Sequence, residues 1–227
     1  MARFEGALAR AEAQAGFVTQ AHADAITASC ERAAFDVGAI AKEARNAGTL
    51  TIAFVNALRK QVPADAARYL HYGATSQDVS DTALVLCLKP ATQRTAELAR
   101  QLGDALAALA RRHADTPMVG RTLLQPAAPI PFGWKVAMWL APLARSLPHY
   151  RRAAEEAQAL QFGGATGTLS ALGDHGPAVA TELARLLDLK KAPTWHSARH
   201  RRRSASARRS WSAVRWWACG ARTRIAS

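Results

Sequence analysis

Cysteine is close to absent. Cys30, Cys87 and Cys219 are the only three in 227 residues, and none belongs to a CxxC or Cys/His cluster. An odd, scattered set of thiols builds no disulfide framework and offers no zinc-ligand spacing. Reduced thiols are expected, and no metal is implied. Also missing is any run near the roughly 18 uninterrupted apolar residues of a membrane-spanning helix. Met1 leads straight into a helical pattern without the charged and apolar regions of a signal peptide. A cytoplasmic chain with no membrane partner is the expectation. No stretch alternates with the period of two that marks a half-buried strand. Acid is the last shortage. Lys and Arg number 30 against 17 Asp and Glu, but residues 189–227 hold 11 of those bases and no acid, leaving 19 against 17 before them. The net charge of +13 thus belongs to the tail, and the body is nearly neutral.

Helical periodicity is what the chain has in quantity. With 49% hydrophobic residues, 227 positions suffice for one or two domains. Phe4, Leu8, Ala11 and Ala15 share one helical face, with Glu5, Arg10 and Glu12 off it, and Gly16 ends that helix. Thr19 is placed to cap a second helix through Ala28, and further helices are predicted over about 33–46 and 50–61. Ser76 to His113 reads as one long helix with Leu98, Leu102, Leu106 and Leu109 as its apolar stripe, kinked or split at Pro90. Another is predicted over about 131–160, with Pro148 as an irregularity, and a shorter one over about 177–187. Long helices joined by loops predict an all-α antiparallel bundle. The expected domains are an N-terminal helical domain over 1–74, a partial central bundle over 75–197 and a basic tail over 198–227.

The densest chemistry lies in His71-Tyr-Gly-Ala-Thr-Ser-Gln-Asp-Val-Ser-Asp-Thr-Ala83, which gathers an imidazole, two adjacent hydroxyls and two carboxylates around one glycine turn. Thr75 or Ser76 can cap the following helix, whose exposed N–H groups favour a carboxylate or phosphate. From spacing alone, a capping turn with a solvated His fits equally well. Arg121 and Thr122 follow a glycine in Thr116-Pro-Met-Val-Gly-Arg-Thr-Leu-Leu-Gln125, where a surface ion pair is the plainer reading of the Arg. Leu160-Gln-Phe-Gly-Gly-Ala-Thr-Gly-Thr-Leu-Ser-Ala-Leu-Gly173 is glycine-rich, but it is neither GxxxxGK[ST] nor GxGxxG, which argues against a nucleotide phosphate loop. His71 and His196 are the imidazoles placed for proton handling or substrate binding near neutral pH. His22, His113 and His149 fall on polar helical faces, and His175 in a turn.

Taken together and in order, the segments at 71–83, 116–125 (with Pro131-Phe-Gly133) and 160–173 resemble signature segments of the fumarase/aspartase superfamily, over about residues 1–199. The resemblance implies carboxylate-bearing substrates and an aci-carboxylate intermediate, for which preorganised donors are the main requirement. It assigns substrate binding to Thr75, Ser76, Arg121, Thr122, Gln161, Gly163, Gly164 and Arg199, and leaves His71 and His196 as candidate catalytic groups. Adenylosuccinate lyases carry a proton-donating His where Leu123 stands and a His-Asp pair where Thr49-Leu50 aligns. Leucine cannot transfer a proton. Both replacements are similar to the carboxymuconate cycloisomerase branch. The implied reaction is lactonisation of 3-carboxy-cis,cis-muconate to 4-carboxymuconolactone in protocatechuate breakdown, without cofactor. The family assembles as homotetramers with each site built from three subunits. Its third signature, a mobile loop carrying the catalytic Ser and Lys, is not found in these 227 residues. The resemblance thus implies a chain truncated at both ends and inactive alone. A fumarate-releasing lyase is the alternative within the superfamily. Outside it, the alternative is a non-catalytic helical or nucleic-acid-binding protein, resting on the Arg- and Trp-bearing tail, against which stands a disordered, acid-free tail consistent with out-of-frame translation.

Overall fold

The computed structural model describes residues 1–192. His196, Arg199 and the basic tail lie outside the described residues. Seven α-helices, two short 3-10 helices and one hairpin make up the described residues. The helices are α1 (Ala2–Gln14), α2 (Gln20–Arg32), α3 (Val37–Ala47), α4 (Leu50–Arg59), α5 (Ser76–Arg112), α6 (Phe132–Ala157) and α7 (Gly176–Leu187).

Local chemistry sets their limits. Thr19 caps α2 by accepting from the His22 amide at 3.4 Å, and Asp36 caps α3 by accepting from the Ala39 amide at 2.9 Å. Gly48 ends α3 at φ 69°, a left-handed conformation that favours glycine. The 37-residue α5 runs through Pro90 without being split, and α6 runs through Pro142 and Pro148. Beside Pro90, the Thr92 hydroxyl donates to the Lys89 carbonyl at 2.8 Å.

The chain divides into two compact units, one of Met1–Leu88 with the described residues from Ala157 onward, the other of Lys89–Glu156. The division falls inside α5, between Leu88 and Lys89. The first unit holds two apolar clusters. Phe4, Leu8, Val79, Leu160, Phe162, Leu172, Val179, Leu183 and Leu187 join α1, the start of α5, the glycine-rich loop and α7. Ala9, Ile26, Phe54, Val55, Leu58 and Leu70 join α1 to α2 and α4. Because α1 packs against partners on both sides, it is buried nearly all round. Glu5 and Glu12, expected off the apolar face, are 1% and 0% exposed.

The second unit adds one small hairpin to the all-α architecture. Strand β1 (Pro117–Thr122) pairs antiparallel with β2 (Gln125–Pro131), with an irregularity in register between Val119 and Arg121. Leu123 and Leu124 form its two-residue tip at φ 46° and 63°. A tip of this kind requires positive φ at both positions and usually carries Asn or Gly. Alternation is missing because almost every residue of both strands is exposed, so no face had to be apolar. The predicted stripe on α5 stays largely uncovered in this unit, with Leu98 and Leu102 exposed, as are Trp134, Met138 and Trp139 on α6.

Candidate active site

The first motif and the glycine-rich loop meet in the first unit through one buried carboxylate. Asp78 is completely buried, three residues into α5 from Thr75. Its Oδ2 accepts from the amide of Thr75 at 3.0 Å and of Gly164 at 2.9 Å. Its Oδ1 accepts from the Gly163 amide at 3.1 Å and from Gln161 Nε2 at 3.1 Å. The bond to Thr75 is one half of a capping box, with the acidic side chain reaching back to the N-cap amide. The other three carry that helix start onto residues 161–164. Burial pushes the Asp78 carboxyl up from its ordinary range, and the four donors pull it back. One turn further on, the Thr82 hydroxyl donates to the Gln161 carbonyl at 2.9 Å and accepts from its amide at 3.2 Å.

This geometry revises the expected donor set. The amides of Gly163 and Gly164, and the side-chain amide of Gln161, face Asp78 and hold the loop. The sequence pattern pointed to glycines that admit a close approach, and the approach observed is that of the protein's own carboxylate. Gly164 sits at φ 69°, and a Cβ there would lie 3.0 Å from the Gly73 carbonyl oxygen. A Cβ on Gly73, at φ 66°, would collide with the Leu172 side chain at 2.7 Å. Both glycines are therefore needed for the motif turn and the loop to touch.

Thr75 and Ser76 are half-buried, and among the described residues no side chain or backbone group engages either hydroxyl. The Ser76 carbonyl accepts from the Thr51 hydroxyl at 3.1 Å, and Thr51 also meets the Ser80 hydroxyl at 2.7 Å, fixing α4 against the first turn of α5. Open hydroxyls beside a helix start are suited to an anionic ligand.

His71 is not the solvated side chain of the plainer reading. Its Nδ1 lies 2.8 Å from Oε1 of Glu5, with side-chain exposures of 18% and 0%. The residue itself stands at φ 65°, outside the usual backbone range of a side chain with a Cβ. Sequence reasoning missed both Glu5 and Asp78, since polarity on a periodic helix signals solvent and not burial. His22 is also less open than expected, bound to Thr19 and stacked on Tyr69 with ring centroids 4.9 Å apart. His175 ties its turn to α1 through the Ala15 carbonyl at 2.8 Å.

Arg121 and Thr122 belong to the second unit, exposed on β1 next to the hairpin tip. Leu123 is 92% exposed and Leu124 fully so. Among the described residues, no three His, Cys, Asp or Glu side chains gather in a group that could hold a metal ion. None of the described helices is long and apolar enough to cross a membrane.

Residues 1–213 match the family described as lyase, a match that continues past Arg199 into the segment expected to be foreign to it. The 3-carboxy-cis,cis-muconate cycloisomerase of Bradyrhizobium diazoefficiens is 49% identical over 91% of this chain and 46% of its own length. The enzyme of the same name from Pseudomonas aeruginosa is 43% identical over 88% of this chain and 45% of its own. The crystal structure of the 3-carboxy-cis,cis-muconate lactonizing enzyme from Pseudomonas putida superposes with a TM-score of 0.85 at 41% identity, covering 91% of this chain and 48% of that one. The chain thus spans about half the length of the curated relatives it matches. With its helical architecture, its ordered signature segments and a family match over most of its length, the chain belongs to the lyase family of the fumarase/aspartase type.

Proposed function

We propose that this chain supplies the carboxylate-binding part of a cycloisomerase that lactonises 3-carboxy-cis,cis-muconate to 4-carboxymuconolactone in a cytoplasmic homo-oligomer, a tetramer by family analogy. The observation that carries this reading is the pair of open hydroxyls, Thr75 and Ser76, at the start of α5, held against the glycine-rich loop by Asp78. The names of the similar proteins support this substrate class.

The substrate has three carboxylates. One is bound by Thr75, Ser76 and the first amides of α5. Arg121 and Thr122 of another copy in the oligomer add a cation and a hydroxyl for a second. During reaction a carboxylate oxygen adds to one carbon of a double bond, and the neighbouring carbon takes a proton. Fixed donors favour this step by stabilising the negative charge that builds on the remaining carboxylate. His71, and His196 outside the described residues, are the imidazoles available for the proton. Leu123 carries no ionisable group, so the hairpin tip takes no part in proton transfer. The third signature loop is not within these residues, so the chain alone binds substrate without turning it over.

Calorimetric titration with 3-carboxy-cis,cis-muconate tests the site. The double variant Thr75→Val, Ser76→Ala should weaken binding by at least about 100-fold, since each hydrogen bond to a charged group contributes roughly 1.5–3 kcal/mol. Unchanged affinity in a folded double variant overturns the assignment.

A further inference from the structure

Glu5 has no place in the site as read from the sequence, yet its geometry is specific. It lies in the first turn of α1, a helix buried on nearly all sides, its side chain wholly enclosed, with one oxygen 2.8 Å from His71 Nδ1 and the other without a hydrogen-bond partner among the described residues. The imidazole reaches from this enclosed carboxylate toward partly open space at 18% exposure, and among the described residues only its Nδ1 is engaged. The strained backbone at His71, φ 65°, adds a second indication, because such conformations persist where the surroundings hold a side chain in one place. Two turns along α1, Glu12 is also enclosed, with neither oxygen hydrogen-bonded among the described residues.

We propose that Glu5 is the positioning residue of a carboxylate–imidazole pair that fixes His71 with its proton on Nδ1 and its Nε2 directed to the substrate. This rests on the lactonisation proposed above. A neutral imidazole held in that tautomer takes a proton from solvent on Nε2. As the substrate carboxylate oxygen forms the new C–O bond, the double-bond electron pair takes that proton onto the neighbouring carbon. The imidazole returns to neutral with Nδ1–H still donating to Glu5, and solvent restores the Nε2 proton. Glu5 touches no substrate; it selects the nitrogen that does.

The groups around Glu5 are compatible with this role. Burial, and then Glu5 itself, push the Glu12 carboxyl up to about 9, so it adds no second negative charge at neutral pH. Burial and then Glu5 likewise push the Cys30 thiol up to about 12, so it stays neutral. The Met1 ammonium is shifted down by burial, an effect that Cys30, Cys87 and Glu5 oppose. Among the described residues, His71 is the side chain that hydrogen-bonds the Glu5 carboxylate.

The test is long-range proton–nitrogen NMR of the intact chain with nitrogen-labelled histidine, at a pH where His71 is neutral. The expected result is the Nδ1–H tautomer for His71. Glu5→Gln retains an acceptor oxygen and should keep that tautomer, whereas Glu5→Ala should release the ring to the Nε2–H form. A purely structural Glu5 would lower the melting temperature in both variants and leave the tautomer alone. An Nε2–H tautomer in the unmodified chain overturns the proposal, even if Glu5→Ala does not fold. So does a folded Glu5→Ala in which Nδ1 stays protonated. Because no substrate is present, failed muconate binding would count against the function and leave this pair untouched.

Discussion

Replacing Glu12 with Gln should make the protein more stable at neutral and alkaline pH, and the effect should vanish in acid. Glu12 is 0% exposed, both its oxygens lack partners among the described residues, and burial with the neighbouring Glu5 raises its pKa from 4.5 to about 9. Between those two values the folded state keeps a proton that the unfolded state releases. By linkage, stability then falls as pH rises, by about 1.4 kcal/mol per pH unit for one group. The stability is fully present below 4.5, declines through neutrality and levels off above about 9. At pH 7 the accumulated loss is about 3 kcal/mol, a large share of the roughly 5–15 kcal/mol that holds a domain together. Gln is nearly isosteric with the protonated acid and does not titrate, so Glu12→Gln removes the slope without opening a cavity. Urea denaturation of both proteins at pH 5, 7 and 9 measures it. The variant should gain less than about 1 kcal/mol at pH 5 and about 3 kcal/mol at pH 7, with a larger gain at pH 9. Parallel pH profiles for the two proteins would refute the reasoning, since they would mean that Glu12 is ionised in the fold or reaches water.

Three further outcomes follow from the geometry. Asp78→Ala leaves four buried donors without their acceptor and should cost at least about 3 kcal/mol, with hydrogen exchange accelerating first at the Gly163 and Gly164 amides; unchanged exchange there would contradict the latch. Leu124→Gly relieves a left-handed Leu at the hairpin tip and should raise stability by about 1 kcal/mol, measured by thermal melting; a destabilised variant would show that the tip is not strained. Exposed Leu98, Leu102, Trp134 and Met138 should drive concentration-dependent association of the isolated chain, reduced by Trp134→Ser with Met138→Ser in light scattering; a monodisperse monomer at high concentration would speak against it.

The helices were legible because caps and apolar spacing agree locally. Thr19, Gly16 and the start at Ser76 fall where the periodicity changes, and the structure ends or begins helices within a residue or two of them. Pro90 gave the wrong emphasis: one missing amide does not split a helix as long as α5. The hairpin escaped because exposed strands rich in Pro126, Pro129 and Pro131 need no alternation, and Leu-Leu is not a turn signal. The motif residues were legible as a set, but not their roles. Which carboxylate faces the glycine loop, and which one holds His71, depends on contacts across 86 and 66 residues of sequence. No local pattern encodes such pairings. Glu5 and Glu12 were misplaced for a related reason: amphipathic reasoning assumes one wet face, and α1 has hardly any.

The substrate-recognising role proposed for these residues in a 3-carboxymuconate cycloisomerase can be measured on a complete enzyme. The most direct measurement joins residues 1–192 to the remaining C-terminal portion of the Bradyrhizobium diazoefficiens relative, then assays the folded, assembled chimera with 3-carboxy-cis,cis-muconate and, in parallel, with adenylosuccinate. The expected result is conversion of the muconate to its lactone, strongly reduced by Arg121→Ala, and no fumarate from adenylosuccinate. A well-assembled chimera that releases fumarate from adenylosuccinate, or that leaves the muconate unchanged, would contradict it.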